Sequence, residues 1–195
     1  MRTFRASFHL LALALCAVTV GAAQTATLNP PQRKAPELAF NIPGSGQQLL
    51  SSYRGKVISL EFIYTTCVHC QHASQVQKRL QADYGSQGFQ ALDVAINPNA
   101  DLLVENFVKD FGLNFPVGWT NADQAVAFLQ FSPSDRYVIP QIVVIDRKGY
   151  IRAQTSVKGD QLQGSDAIRV EPALTNLVKS LLGDDTGHAQ KRGMK

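Results

Sequence analysis

Cys67-Val68-His69-Cys70 is a C-x-x-C at the point where an apolar run gives way to a helical pattern. Two thiols separated by two residues at a helix start close a disulfide with little backbone movement. The positive end of the helix favours the first sulfur as thiolate, which makes Cys67 the expected nucleophile of a reversible dithiol pair. A structural zinc site needs four Cys or His ligands, and the chain has no second C-x-x-C and no H-x-x-x-H. No metal is therefore expected here. Six residues before Cys67 stands Glu61, a carboxylate in an otherwise apolar stretch. Such a group is costly to bury unless it is partnered or protonated, and strand alternation alone leaves open that it points to solvent or into an ion pair.

Elements must exist to hold these residues. Residues 57–64 have the composition of a buried strand, and Ala73, Val76, Leu80 and Tyr84 follow at helical spacing, placing the thiols at a strand-to-helix junction. Gly85 and Gly88 end that helix and residues 89–96 form the next strand, giving a β-α-β unit. Its two strands are expected to be parallel neighbours joined by a right-handed crossover. After the turn Asn97-Pro98-Asn99, a helix carries Val104, Phe107, Val108 and Phe111 on one face and stops at Gly112. A short strand over 115–119 and a helical turn or two over 125–131 come next. Residues 141–145 and 150–153 flank Asp146-Arg147-Lys148-Gly149 as a hairpin. Leu174, Leu177, Val178 and Leu181 mark a last helix, entered through Pro172 and ended by Gly183. Ahead of all this, 37–40 and 47–50 suit a short hairpin around Pro43-Gly44-Ser45-Gly46. The pattern is α/β, a central mixed sheet with helices on both faces. Phe107, Phe111, Phe115, Trp119 and Phe128 belong to this core or to a groove, because helical spacing accounts for several of them, and no cofactor is implied.

The N-terminus resembles a secretory signal: Arg2 and Arg5, an apolar run over 8–20, then Gly21-Ala22-Ala23, with cleavage expected near Ala23. The run falls short of the roughly 20 apolar residues of a membrane span. Cys16 lies inside it behind Leu15, where a lipidation signal wants a small residue, so a lipid anchor there is disfavoured. Signal removal leaves Cys67 and Cys70 as the only thiols of an exported chain, and a bridge between them as its only internal disulfide. A bridge across so short a loop restrains the unfolded chain little, which favours catalytic use over stapling. The expected organisation is a signal peptide over 1–23, a polar linker over 24–34, one domain over 35–182 and a disordered polar tail over 183–195. Losing Arg2 and Arg5 takes the formal charge from +4 to +2, and Lys191, Arg192 and Lys195 hold three of the remaining positives. The near-neutral domain excludes a basic nucleic-acid stripe or membrane-binding face.

Three separated stretches resemble the thioredoxin superfamily, and within it the exported TlpA/ResA-type redoxins. They are Ala35-Pro36-Glu37-Leu38-Ala39-Phe40, then Tyr53-Arg54-Gly55-Lys56-Val57 through Phe62 with Cys67-Val68-His69-Cys70, and Ile139-Pro140-Gln141-Ile142-Val143-Val144-Ile145-Asp146 with Gly149. The resemblance implies a thioredoxin-like fold with an N-terminal β-hairpin extension. It makes Cys67 the exposed attacking thiol, Cys70 the buried resolving one and Pro140 a cis-proline facing the disulfide. The backbone of Ile139 would then pair with an extended segment of the partner. It also places Glu61 where the superfamily keeps a buried acid, whose raised pKa would relay the proton of Cys70. Thr66, Val68, His69 and Ile139 would line and tune the groove. The implied partners are cysteine-containing exported proteins, with a membrane electron donor or acceptor behind them, in the periplasm or another extracytoplasmic space.

The departures matter as well. Tyr64-Thr65-Thr66 replaces the W-A-x-W stretch, and His69 replaces the common proline. A histidine there resembles the dipeptides of protein disulfide isomerase and the oxidant DsbA, since imidazole stabilises the thiolate and makes the disulfide more oxidising. The branch implies a reductant and the dipeptide an oxidant or isomerase. Two other readings share the fold. A peroxiredoxin-like peroxidase would need P-x-x-x-T-x-x-C, whereas Leu60 and Tyr64 occupy those positions before Cys67. A Sco-like copper-binding assembly protein would need C-x-x-x-C and a distal histidine, and only His188 lies beyond His72.

Overall fold

Strand β3 (Val57–Ile63) is buried at every residue, which requires cover on both faces of the sheet. Its even positions Ile58, Leu60 and Phe62 enter one core, and Val57 and Ile63 enter the other. The computed structural model describes the backbone of residues 33–155 and 167–192, with side chains for 33–155 and 171–183. The expected signal peptide, Cys16, nearly all of the linker and the side chain of His188 lie outside the described residues.

β3 leads into helix α1 (Val68–Tyr84) and returns as β4 (Phe89–Ala95), paired parallel to β3 from Val57↔Phe89 to Ile63↔Ala95. Gly88, at φ 93°, makes the left-handed turn into β4. Helix α2 (Ala100–Phe111) then connects to the short parallel strand β5 (Val117–Trp119), and Gly112 caps α2 in the left-handed region, as its glycine predicts. Helix α3 (Ala122–Leu129) crosses the other face. Strands β6 (Gln141–Ile145) and β7 (Ile151–Gln154) form the expected hairpin, with β6 antiparallel to β3. The N-terminal hairpin of β1 (Ala39–Ile42) and β2 (Gly46–Leu49) joins through β1 and β5, so the sheet order is β2-β1-β5-β4-β3-β6-β7. Gly118 permits that junction, because a Cβ there would run into the carbonyl of Asn41.

One core lies between the sheet and α1, α2 and helix α4 (Ala167–Arg192), centred on Val76, Leu80, Val104, Phe107, Leu174 and Val178. The other joins Leu38, Phe40, Leu60 and Phe62 to Phe128 and Leu129 of α3. Phe107, Phe115 and Phe128 are core residues, as their spacing implies.

Several boundaries differ from the sequence reading. The first hairpin strand starts at Ala39 and not at 37, because the Glu37 carboxylate anchors the loop by accepting from the amides of Leu38 and Ser51. α3 starts at Ala122, where the Asn121 side chain accepts from the amide of Gln124 at 2.8 Å, and it stops before Phe131 as Gln130 turns left-handed. Asn121→Ala removes that cap and is expected to cost about 1 kcal/mol in a urea melt. The last helix begins five residues ahead of Pro172 and runs through Gly183 to Arg192, where a polar tail without regular structure was expected. A glycine ends a helix when it turns left-handed; inside one it costs only about 1 kcal/mol. α4 is tied to α1 by a two-pronged pair from Arg79 to Glu171, at 3.1 and 2.8 Å.

Candidate active site

The chain leaves β3 at Ile63 and reaches α1 through Tyr64-Thr65-Thr66. This loop is fixed at both ends. The amide of Cys67 donates to the carbonyl of Tyr64 at 3.0 Å, and the amide of Thr65 donates to Asn97 Oδ1 at 3.0 Å. The Gln71 amide group returns from α1 to the Thr65 carbonyl at 3.2 Å. Asn97→Ala would leave a buried amide without an acceptor, a loss of about 1–3 kcal/mol. Hydrogen exchange at Thr65 is expected to accelerate while that of the β4 core amides stays unchanged.

Cys67 is the N-cap of α1 with an extended backbone (φ −87°, ψ 119°), and it is half-buried. Its Sγ lies 4.0 Å from the carbonyl oxygen of Ile139, and the Ile139-Pro140 peptide is cis. The structure thus brings together segments 72 residues apart in sequence. Thr66 and His69 are exposed, Val68 is 58 % exposed beside the thiol, and Ile139 and Pro140 are half-buried on the facing loop. His72 is exposed on the first turns of α1. Cys70, one turn in, is fully buried, and its Sγ accepts from the amide of Tyr64 at 3.5 Å. Burial pushes the Cys70 thiol far above the ordinary range, and the adjacent Cys67 and Glu61 add to this against the Tyr64 amide. Cys70 cannot ionise unaided near neutral pH.

Glu61 is not directed to solvent. It is 1 % exposed, on the α1 side of the sheet, and makes no ion pair among the described residues. Neither of its oxygens has a partner of good hydrogen-bond geometry, although the Gln77 amide lies near enough to act on it. Burial holds its carboxyl well above the usual range, the charge of Asp93 adds to this, and the neighbouring Gln77 amide pulls slightly back. The Gln77 amide nitrogen is itself held by Ser59, at 2.8 Å to the hydroxyl and 3.3 Å to the carbonyl.

Sequence reasoning missed Asp93. It is fully buried in β4 directly opposite Glu61, with Oδ2 accepting from the Ser74 hydroxyl of α1 at 2.6 Å. Burial raises its pKa to about 7, against the pull of that hydrogen bond. A signal existed: Glu61 and Asp93 each stand four residues into strands expected to be parallel neighbours, and each is the lone carboxylate of its strand. Asn97 and Ser74 carried no comparable signal, because loop asparagines and helix serines are common.

A mixed sheet covered on both faces, a thiol pair opening a helix and a cis-proline against the first thiol define a protein of thioredoxin-like fold. Residues 30–168 match the redoxin family model, and the chain belongs to that family. It is 30% identical over 118 residues to thiol-disulfide oxidoreductase ResA of Geobacillus kaustophilus (strain HTA426), covering 60% of this chain and 64% of that relative. Against ResA of Geobacillus thermodenitrificans (strain NG80-2) it is 28% identical over 138 residues, covering 69% and 76%. The chain thus spans just under two thirds of the length of the first relative. A thiol:disulfide interchange protein of the thioredoxin family from Chlorobium tepidum TLS superposes with a TM-score of 0.62 at 21% identity, over 79% of this chain and 99% of that one. No helix among the described residues is long and apolar enough to cross a membrane.

Proposed function

We propose that this chain is an exported thiol-disulfide oxidoreductase that exchanges disulfides with cysteine-containing exported proteins. The asymmetry of the two sulfurs carries the reading: Cys67 is reachable at a helix start, whereas Cys70 is sealed behind it over a buried acid. The ResA relatives are named for this chemistry. In the reducing direction Cys67 attacks a partner disulfide and displaces one partner sulfur. Cys70 then attacks Cys67 Sγ, forming the internal disulfide and releasing the second sulfur. Glu61 relays the proton of Cys70, as a buried group of raised pKa whose charge bears on a thiol that cannot ionise alone. The carbonyl of Ile139, held by cis-Pro140, presents an acceptor to an extended partner segment, and Thr66, Val68 and His69 form the exposed rim that meets it. A membrane electron donor or acceptor would reset the pair, in the periplasm or another extracytoplasmic space after signal cleavage near Ala23.

Reduced protein mixed with insulin is expected to reduce its disulfides in a 1:1 ratio, with Cys67–Cys70 as the oxidised product. No exchange in either direction, neither reduction of insulin by the dithiol nor oxidation of a protein dithiol by the Cys67–Cys70 disulfide, would sink the assignment. Equilibration with glutathione then fixes the direction. A potential near about −120 to −180 mV marks an oxidant or isomerase, and one below about −220 mV marks a reductant.

A further inference from the structure

Glu61 and Asp93 occupy matching positions on adjacent parallel strands, whose backbones run about 4.8 Å apart, and both carboxyls enter the space beneath α1. Three of their four oxygens, both of Glu61 and Oδ1 of Asp93, have no hydrogen-bond partner. The surroundings offer no countercharge among the described residues. β6 presents Ile142 against Glu61, β5 presents Val117 against Asp93, and α4 contributes Leu174, Val178 and Leu182 to this core. From α1 come Ser74, Gln77 and the thiol of Cys70, which bears electrostatically on Glu61, with Cys67 beyond it. Two buried carboxyls so close, without a cation, cannot both be charged cheaply. Sharing one proton is the least costly way for such a pair to stay buried.

Resting on the reading of Glu61 as the relay for Cys70, we propose that Glu61 and Asp93 act as a single acid-base unit carrying one proton. Asp93 supplies the basic half that Glu61 alone lacks. A lone Glu61 kept protonated by burial gives a proton to Cys70 when that sulfur leaves, but it has no room for the proton of Cys70 when that sulfur attacks. The pair does both. In the reducing direction, Cys70 Sγ bonds to Cys67 Sγ, the Cys67–partner S–S bond breaks and the partner sulfur leaves with the electron pair as thiolate. The Cys70 proton passes to Glu61 as Glu61 hands its own to Asp93, so the unit goes from one proton to two. In the opposite direction a partner thiolate attacks Cys67, Cys70 departs with the electrons of the internal disulfide, and the unit returns the proton. Ser74 lies one turn beyond Cys70 on α1 and donates to Asp93 Oδ2, which places Asp93 as a positioning residue acting through Glu61.

The experiment measures both half-reactions in wild type, Glu61→Gln and Asp93→Asn by stopped flow at pH 7, together with the carboxyl carbon shifts of Glu61 and Asp93 across pH. Glu61→Gln is expected to slow both directions. Asp93→Asn is expected to slow the attack of Cys70 at least about tenfold, within the about 10²–10⁴ of general acid-base groups, and to leave opening of the disulfide by a partner thiol within a few-fold. It also lowers the titration midpoint of Glu61 by about one unit or more, the coupling that makes two sites titrate as a pair. Equal rates in both directions and an unmoved Glu61 midpoint in Asp93→Asn overturn the inference. Unchanged rates in Glu61→Gln overturn the relay reading instead, while the carboxyl shifts still report on the pair. If Asp93→Asn fails to fold, Ser74→Ala removes the hydrogen bond that lowers the Asp93 pKa. The onset of Cys70 attack then moves to higher pH, and an onset that does not move counts against the inference.

Discussion

Cys67→Ser reduces exchange with protein disulfides to the background of the assay, whereas Cys70→Ser stops the reaction at a covalent adduct with the partner. The two thiols share a motif, yet only Cys67 is accessible, at the N-cap of α1 and 4.0 Å from the Ile139 carbonyl. A hydroxyl at 67 cannot form the mixed disulfide, and Cys70, fully buried with its proton held, cannot replace it. In Cys70→Ser the first step survives and the second is absent, so non-reducing gels are expected to show a stoichiometric adduct that a small thiol releases. Alkylation gives an independent check. Native reduced protein is expected to take one iodoacetamide at Cys67, and a second at Cys70 only after unfolding. Full insulin-reducing activity in Cys67→Ser, or equal native labelling of both sulfurs, is incompatible with these roles.

Much of this is legible in the sequence. The C-x-x-C, the strand before it and the apolar spacing after it placed Cys67 at the start of α1, because a 2-residue strand period changing to a 3.6-residue helix period is a local signal. Parallel pairing of β3 and β4 followed from the crossover that joins them. What failed was decided by contacts between distant segments. Glu37 anchors to the Ser51 amide instead of entering β1, and Asn121 caps α3 four residues ahead of Ala125, the first residue of its buried face. Gly183 marked a helix end only on the assumption that it turns left-handed, and α4 passes through it. The orientation of Glu61 needed the cover of α1 to be known, because alternation fixes which residues share a face and not which face is buried. The cis peptide before Pro140 came from the family resemblance alone, since nothing in the local composition marks it.

The acid pair also makes stability fall as pH rises, and Asp93→Asn is expected to remove much of that fall. An unfolded aspartate titrates near about 3.9, while burial raises folded Asp93 to about 7. Between those values the folded state binds more protons than the unfolded one, so unfolding releases protons and stability declines with increasing pH. Roughly three units at about 1.4 kcal/mol each amount to a loss on the order of 4 kcal/mol. The raised pKa of Glu61 contributes a decline of the same sign. Against a total of about 5–15 kcal/mol for a domain this is large. Urea melts are expected to show wild type markedly weaker at pH 8 than at pH 5. Asp93→Asn keeps an acceptor for the Ser74 hydroxyl and removes the charge, so it is expected to match wild type at pH 5 and exceed it by a few kcal/mol at pH 8. Equal destabilisation at both pH values would mean that Asp93 serves mainly to fasten α1 to the sheet. A carboxyl that weakens the fold at neutral pH, where an amide of the same shape would strengthen it, persists for a reason other than stability. Its place opposite Glu61, whose charge bears on Cys70, ties that reason to the proton that thiol exchange must move.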